Sequence, residues 1–283
     1  MSHAAREDRG GARRCVSLGA TLGAFVVLAA THAGAVDGVI EISHAEALAG
    51  GITAGDTPGY PVTLSEPGSY RLTTDLEIPS TTGLRGVVVS TGPVTLDLNG
   101  FAIRGPGDCS GIPPSCSGHL ATVGVEVTSS EIVRLRGGTI TGAFTAVYVP
   151  TTSVERSLDL DDMALVENGG TAMILAGPGA SVVRNSRVDR NGIDGIDIPV
   201  VHTVQISNTT FRSNGNYAVY SEGSASLVQD SHFIGNGSGI RSFFIGAPSA
   251  ALVYESCMFS ANGTDVTGGF ALGESYCSGS LCP

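Results

Sequence analysis

An Asn-Gly dipeptide recurs through the second half of this 283-residue chain at an almost constant interval. Successive copies are 23, 23, 22 and 26 residues apart, and their asparagines are Asn168, Asn191, Asn214, Asn236 and Asn262. Such a period is too short for a βαβ unit or for the helix pairs of a helical solenoid. A fixed period of this length therefore restricts the chain to a stack of short, nearly identical coils.

Columns of similar residues appear when positions are counted back from each asparagine. Three residues before lie Leu165, Val188, Phe211, Phe233 and Phe259, and eight before lie Leu160, Val183, Ile206, Val228 and Tyr254. Six before lie Asp162, Asn185, Asn208, Asp230 and Ser256. Val, Ile and Thr alternate between Asn and Gly corners, which indicates three short strands and three turns per coil.

Stacking such coils places like residues about 4.8 Å apart. The pattern predicts an all-β fold, a right-handed parallel β-helix of about seven coils, with Phe211, Phe233 and Phe259 stacked inside. We expect the corner asparagines to form an amide ladder and to adopt the left-handed backbone conformation that asparagine tolerates. Replacing Asn214 with alanine should then cost about 1–3 kcal/mol.

The sequence divides into four predicted segments. Residues 1–35 combine arginines, an apolar run and an Ala-x-Ala motif at Ala33 and Ala35, which is typical of a cleaved signal peptide. Residues 36–84 are predicted to cap the first coil, 85–267 to form the β-helix, and 268–283 to cap the last coil. The expected location is secreted or periplasmic, with no membrane association after cleavage.

Charge and cysteines fit an exported protein. The formal net charge is −11 without a single lysine, which argues against nucleic acid and anionic membranes as partners. Export makes disulfides the default state of cysteines. Cys109 and Cys116 flank an insertion and are expected to pair locally. Cys277 pairs with either Cys282 or Cys257.

The chain resembles bacterial exported right-handed β-helix repeat proteins, the superfamily that includes pectate lyases. Besides the repeat, the resemblance rests on Pro67–Leu72 and Val94–Phe101. The resemblance implies the scaffold and leaves the activity open, because one fold hosts unrelated functions. The Gly-His-Gly and Asn-Thr-Asp signatures of polygalacturonases are absent, as is the Asp-Pro-His-Glu of alginate epimerases.

Asp194, Asp197 and His202 are the catalytic candidates, although each carboxylate could equally be a solvated strand residue. Paired carboxylates could hold Ca²⁺ or act on a glycosidic bond. No metal-binding motif is present, and Ca²⁺ is the only cofactor considered. Arg187 is the substrate-binding candidate, because Arg184, Arg190 and Arg212 have acidic neighbours in the register (Asp161, Glu167 and Asp189) and Arg187 has none. Two functions remain open: non-catalytic polysaccharide binding or a surface structural role, and a divergent lyase, hydrolase or epimerase acting on acidic glycan.

Overall fold

A computed structural model describes residues 38–152, 154–199, 202–243 and 252–282. The predicted signal peptide at 1–35 lies outside these residues. Within the described residues, no helix is long and apolar enough to cross a membrane.

The described chain is almost entirely β-structure, with one short helix, α1 (His44–Ala49). The first strands are β1 (Val39–Ile42), β2 (Val62–Leu64), β3 (Gly68–Leu72), β4 (Leu76–Glu77), β5 (Arg85–Val89), β6 (Val94–Asp97), β7 (Ala102–Arg104), β8 (Asp108–Ser110), β9 (Ser115–Ser117) and β10 (Val123–Val127). The central strands are β11 (Ile132–Thr141), β12 (Thr145–Val149), β13 (Arg156–Val166), β14 (Met173–Leu175), β15 (Gly179–Arg184), β16 (Arg187–Asp189), β17 (Ile196–Ile198), β18 (His202–Ser207), β19 (Thr210–Arg212) and β20 (Tyr217–Glu222). The last strands are β21 (Ser226–Gln229), β22 (His232–Ile234), β23 (Ser238–Phe243), β24 (Leu252–Glu255), β25 (Met258–Ser260), β26 (Val266–Thr267), β27 (Phe270–Ala271), β28 (Tyr276–Cys277) and β29 (Ser280–Leu281).

Two long sheets run the length of the molecule. Among the described residues, sheet B has nine strands: β2, β5, β10, β12, β14, β17, β20, β23 and β26. Sheet A has 18 strands in the same part of the chain and includes two strand segments from most coils. Pairing between successive coils is parallel and in register throughout, as between Phe211 and Phe233. The predicted parallel β-helix is therefore confirmed, with about eight turns where about seven were predicted.

The β-helix begins earlier and ends later than predicted. β2 pairs in parallel with β5, and β3 with β6, so residues 62–77 already form part of a coil and do not belong to a separate cap. From residue 38 onward, β1, α1 and a loop precede them, and Ser43 and Glu46 form a capping box at the start of α1. At the other end, β28 still pairs in parallel with β25 before β29 turns back. Parallel strand pairing thus extends beyond the predicted boundaries at 85 and 268 on both sides.

The three phenylalanines are interior, as the register predicted. The ring centres of Phe211 and Phe233 are 5.0 Å apart, and those of Phe233 and Phe259 are 4.6 Å apart, both pairs nearly parallel. None of the three is more than 1% exposed. They extend the column begun by Leu165 and Val188, so one continuous apolar core runs through the coils.

The corner asparagines form a buried ladder. Nδ2 of Asn191 donates to Oδ1 of Asn214 at 2.9 Å, and the same contact joins Asn214 to Asn236 at 2.9 Å. Asn168 and Asn262 extend the ladder in both directions. The expected left-handed backbone at these asparagines is wrong. Positive φ falls on the residue just before, as at Arg190 (54°), and on the exposed column six residues before, which includes Asn185, Asn208 and Asp230. The ladder asparagines are thus selected for their amides and not for their backbone conformation.

Two disulfides are formed. Cys109 pairs with Cys116, closing the β8–β9 hairpin, in which the Cys116 sulfur lies 3.9 Å from the carbonyl oxygen of Asn168, and Cys277 pairs with Cys282. Cys257 is buried and is the only free thiol in the described part of the chain. Disulfides form and persist in oxidising compartments.

Candidate functional site on the outer face of sheet B

Asp197, Tyr220 and Arg241 occupy one outward column on three successive strands of sheet B. Asp197 of β17 is the register partner of Tyr220 of β20, which is in turn the partner of Arg241 of β23. Their strand neighbours, such as Ile196 and Val219, point inward and are fully buried. Core packing on one face of these strands therefore fixes the three side chains on the other.

Aromatic rings and an arginine form a compact cluster around this column. The rings of Tyr217 and Tyr220 stack with centres 5.2 Å apart, and Phe243 meets Tyr220 edge to face at 6.2 Å. The Arg241 guanidinium lies 5.1 Å from the Tyr217 ring centre and 4.3 Å from that of Phe243, within range of cation–π attraction. We call Tyr217, Tyr220, Arg241 and Phe243 the aromatic cluster.

Hydrogen bonds fix the cluster further. Arg241 donates from Nη1 to the Tyr217 hydroxyl, and the Tyr220 hydroxyl donates to the Glu222 carboxylate. The pKa of Tyr220 is raised to about 12, mainly by its hydrogen bond to Glu222 and secondly by burial. Tyr220 is therefore a neutral hydrogen-bonding group at physiological pH.

Asp197 is the most perturbed carboxyl group on this face. Burial, followed by the charges of Asp194 and Glu222, raises its pKa to about 6. Its Oδ1 atom is buried and has no hydrogen-bond partner among the described residues. A carboxyl group that titrates near neutrality is a feature of functional sites, although structural clusters share it.

Asp194 lies on the same side of sheet B as Asp197, which the sequence could not establish. It is 8% exposed, and burial raises its pKa. Its carboxylate accepts from the backbone N–H of Tyr217 at 2.9 Å and from the Thr171 hydroxyl at 3.5 Å. Asp194 thus ties neighbouring coils together and also adds negative charge beside Asp197.

The structure separates His202 from the two aspartates. His202 starts a strand of sheet A and is only 1% exposed. Its Nε2 lies 2.8 Å from the Ser181 hydroxyl and its Nδ1 lies 2.7 Å from the Gly177 carbonyl oxygen. Burial lowers its pKa, so the ring is neutral and both nitrogens are occupied inside the protein. Among the described residues, the three catalytic candidates therefore do not form one compact cluster.

Arg187 does have an acidic neighbour, contrary to the sequence interpretation. Its Nη1 lies 3.6 Å from Oδ2 of Asp189, two residues along the same strand. Asp189 had been assigned to Arg212, its register partner in the next coil. Arg184 and Arg190 do contact Asp161 and Glu167 as the register indicated. Arg184, Arg187 and Arg190 therefore each lie beside a carboxylate, and Arg187 no longer differs from the other two.

A family model described as a right handed beta helix region matches residues 115–271, more than half of the chain. The chain belongs to the right-handed β-helix family. No curated protein and no solved structure matches it significantly. Family membership fixes the scaffold, and the chemistry of this β-helix must come from its own side chains.

The aromatic cluster lies outside the columns that precede the ladder asparagines in the sequence. Counting forward, the third and sixth residues after Asn191 are Asp194 and Asp197, and those after Asn214 are Tyr217 and Tyr220. Two columns of this chain's repeat therefore correspond to this face. Periodicity alone does not distinguish it from an ordinary solvated sheet.

The raised pKa of Asp197 predicts a pH-dependent gain in stability when its charge is removed. The pKa of Asp197 is about 6 in the folded protein and near 4 in the unfolded chain. Its contribution to the free energy of unfolding is therefore fully present below about pH 4 and is lost as the pH rises through 6. Asp197→Asn should therefore raise the melting temperature at pH 8, and the difference should shrink at pH 5. Thermal unfolding at both pH values tests this; a difference independent of pH would contradict it.

Proposed function

We propose that this β-helix is an exported, non-catalytic protein that binds an extended polysaccharide along the outer face of sheet B. The observation that supports the proposal best is the aromatic cluster, in which Arg241 lies against the rings of Tyr217 and Phe243. Aromatic side chains provide a large contact area with little loss of conformational freedom. Their flat apolar faces match the C–H faces of sugar rings.

The polar groups around the cluster suit hydroxyl-rich ligands. Arg241 contributes guanidinium donors, and Glu222 and Asp197 contribute acceptors. Tyr220 lies between Asp197 and Arg241 in the strand register. Neighbouring coils are about 4.8 Å apart, close to the length of one monosaccharide unit in an extended chain. Successive coils can therefore contact successive sugars.

Two disulfides among the described residues support export, since such bonds persist in oxidising environments. The predicted signal peptide at 1–35 supports the same conclusion from the sequence. We expect the protein to be found outside the cytoplasm, in the periplasm or the medium.

The raised pKa of Asp197 favours a second function, cleavage or epimerisation of an acidic glycan. A carboxyl group with a pKa of about 6 can act as a general acid near neutral pH, and a second carboxylate, Asp194, is close enough to influence it. Ca²⁺ held by these carboxylates would belong to this function. Among the described residues, however, Asp194 and Asp197 are not part of any group of three potential ligands clustered tightly enough to hold a metal.

A panel of neutral and acidic polysaccharides, with and without Ca²⁺, distinguishes the two functions. We expect saturable binding to at least one polysaccharide, with no new reducing ends or unsaturated products. Turnover that is abolished by Asp197→Asn would establish the enzymatic alternative. Absence of binding to every member of the panel would contradict both.

A further inference from the structure

The disulfide hairpin brings a histidine against its two cysteines. Cys109 and Cys116 face each other across β8 and β9, and Nε2 of His119 lies 3.7 Å from Sγ of Cys109. All three potential ligand atoms lie within 4.8 Å of one another. No other group of three histidine, cysteine, aspartate or glutamate side chains in the described ranges is this compact.

The His119 ring is held in place by its surroundings. The residue is 6% exposed, and its ring fits against Gly107 and Gly169, where an added Cβ would come within 2.2 Å of ring atoms. The ring also hydrogen-bonds the backbone of Glu167. A histidine bonded to a backbone carbonyl presents its other nitrogen in a fixed direction, the arrangement common to metal-binding histidines.

The distance between His119 and Cys109 already matches that of a tetrahedral metal site. Zinc–sulfur bonds of about 2.3 Å and zinc–nitrogen bonds of about 2.0–2.1 Å place nitrogen and sulfur about 3.6 Å apart in a tetrahedron. Cys109 Sγ and His119 Nε2 are already 3.7 Å apart. Once the disulfide is broken, side-chain rotation at Cys116 can move its sulfur to about 3.8 Å from the Cys109 sulfur. This is the distance between two sulfur ligands in a tetrahedral site.

We propose that reduction of the Cys109–Cys116 disulfide opens a binding site for a borderline-soft divalent metal of the zinc class. The ligands are the thiolates of Cys109 and Cys116 and Nε2 of His119, and a water completes the tetrahedron. A dithiol or phosphine reductant supplies two electrons, two protons are taken up to form two thiols, and metal binding releases these two protons. The oxidised hairpin has no thiolate to offer, so the redox state of the loop controls occupancy.

The second disulfide provides a matched control. Cys277 and Cys282 are also close in sequence, but no histidine joins them in a comparable cluster among the described residues. The same reductant opens both bonds. Any metal binding that depends on His119 therefore distinguishes the hairpin from general thiol chemistry.

Spectroscopic titration with Co²⁺ tests the site. The whole chain is reduced with a phosphine, freed of metal and titrated, with oxidised protein alongside. We expect equimolar binding only after reduction, with the visible bands of tetrahedral Co²⁺ and an ultraviolet sulfur-to-cobalt charge-transfer band, both lost when Zn²⁺ is added. His119→Ala should weaken binding at least about tenfold, whereas the double variant Cys277→Ser/Cys282→Ser should bind like wild type.

Several outcomes would overturn the proposal. One is a reduced wild-type chain that leaves Co²⁺ in its aqueous spectrum. Another is binding that survives both His119→Ala and Cys109→Ser/Cys116→Ser, or that is lost in Cys277→Ser/Cys282→Ser. The comparison of oxidised with reduced wild type needs no substitution, so it decides the matter even where a variant fails to fold.

Discussion

Phe233→Ala is expected to lower the free energy of unfolding by about 3–5 kcal/mol, the usual cost of truncating a large core side chain. Phe233 is fully buried and stacks on two other rings, at 5.0 Å and 4.6 Å. Truncation removes both aromatic contacts and leaves a cavity between coils that are fixed by their own strand pairing. Because solenoid coils stabilise mainly their neighbours, the carboxyl-terminal half should loosen first.

Urea denaturation and hydrogen exchange measure the two parts of this expectation. Phe243→Ala is the control, since Phe243 is 39% exposed on the outer face of sheet B; it should change stability by less than about 1 kcal/mol. If Phe233→Ala unfolds at the same urea concentration as wild type, the interior stack does not contribute as described.

Asn214→Ala should also be strongly destabilising. Its Nδ2 donates to Oδ1 of Asn236 and to the Val188 carbonyl, and its Oδ1 accepts from both the backbone N–H and Nδ2 of Asn191. All four bonds are buried, and alanine would leave at least two backbone groups without these partners. At about 1–3 kcal/mol for each unsatisfied group, two such groups give an expected loss of about 2–6 kcal/mol, more than the sequence alone suggested.

Asn208 offers a matched control for this ladder. It donates to Asn185 at 2.8 Å in a second, exposed asparagine pair, with a φ of 46°. Glycine adopts this left-handed backbone conformation readily, and water can replace the lost hydrogen bond. Asn208→Gly should therefore cost less than about 1 kcal/mol. Equal losses at Asn208 and Asn214, measured by the same urea titration, would show that burial of the ladder is not what stabilises it.

The core could be predicted because the repeat imposes it. Once the asparagines are aligned, every coil must place like residues above one another, so Phe211, Phe233 and Phe259 share one interior position. Residues 62–77 contain no Asn-Gly dipeptide, so the repeat pattern does not show that these strands pair with the coils. The left-handed position was assigned one residue too late, because the amide ladder and the backbone turn occupy adjacent residues.

The outer face was harder to predict because strict alternation fails there. Gly195 and Ile196 are both buried, as are Ala218 and Val219, so residues three apart come to the same side. This local break in the period brings Asp194 beside Asp197, and Tyr217 onto Tyr220. The sequence period likewise does not indicate that the Arg187 side chain turns towards Asp189 on its own strand.

The affinity of Tyr220→Ala for the best-bound polysaccharide tests the central claim, that the aromatic cluster on sheet B is the binding face. Tyr220 lies at the centre of the cluster and is partly buried, whereas Tyr276 is exposed on the terminal coil and serves as the control. We predict that Tyr220→Ala, with a melting temperature close to that of wild type, weakens binding at least about tenfold, as loss of an aromatic anchor does, while Tyr276→Ala binds normally. Unchanged affinity in a folded Tyr220→Ala protein would contradict the account.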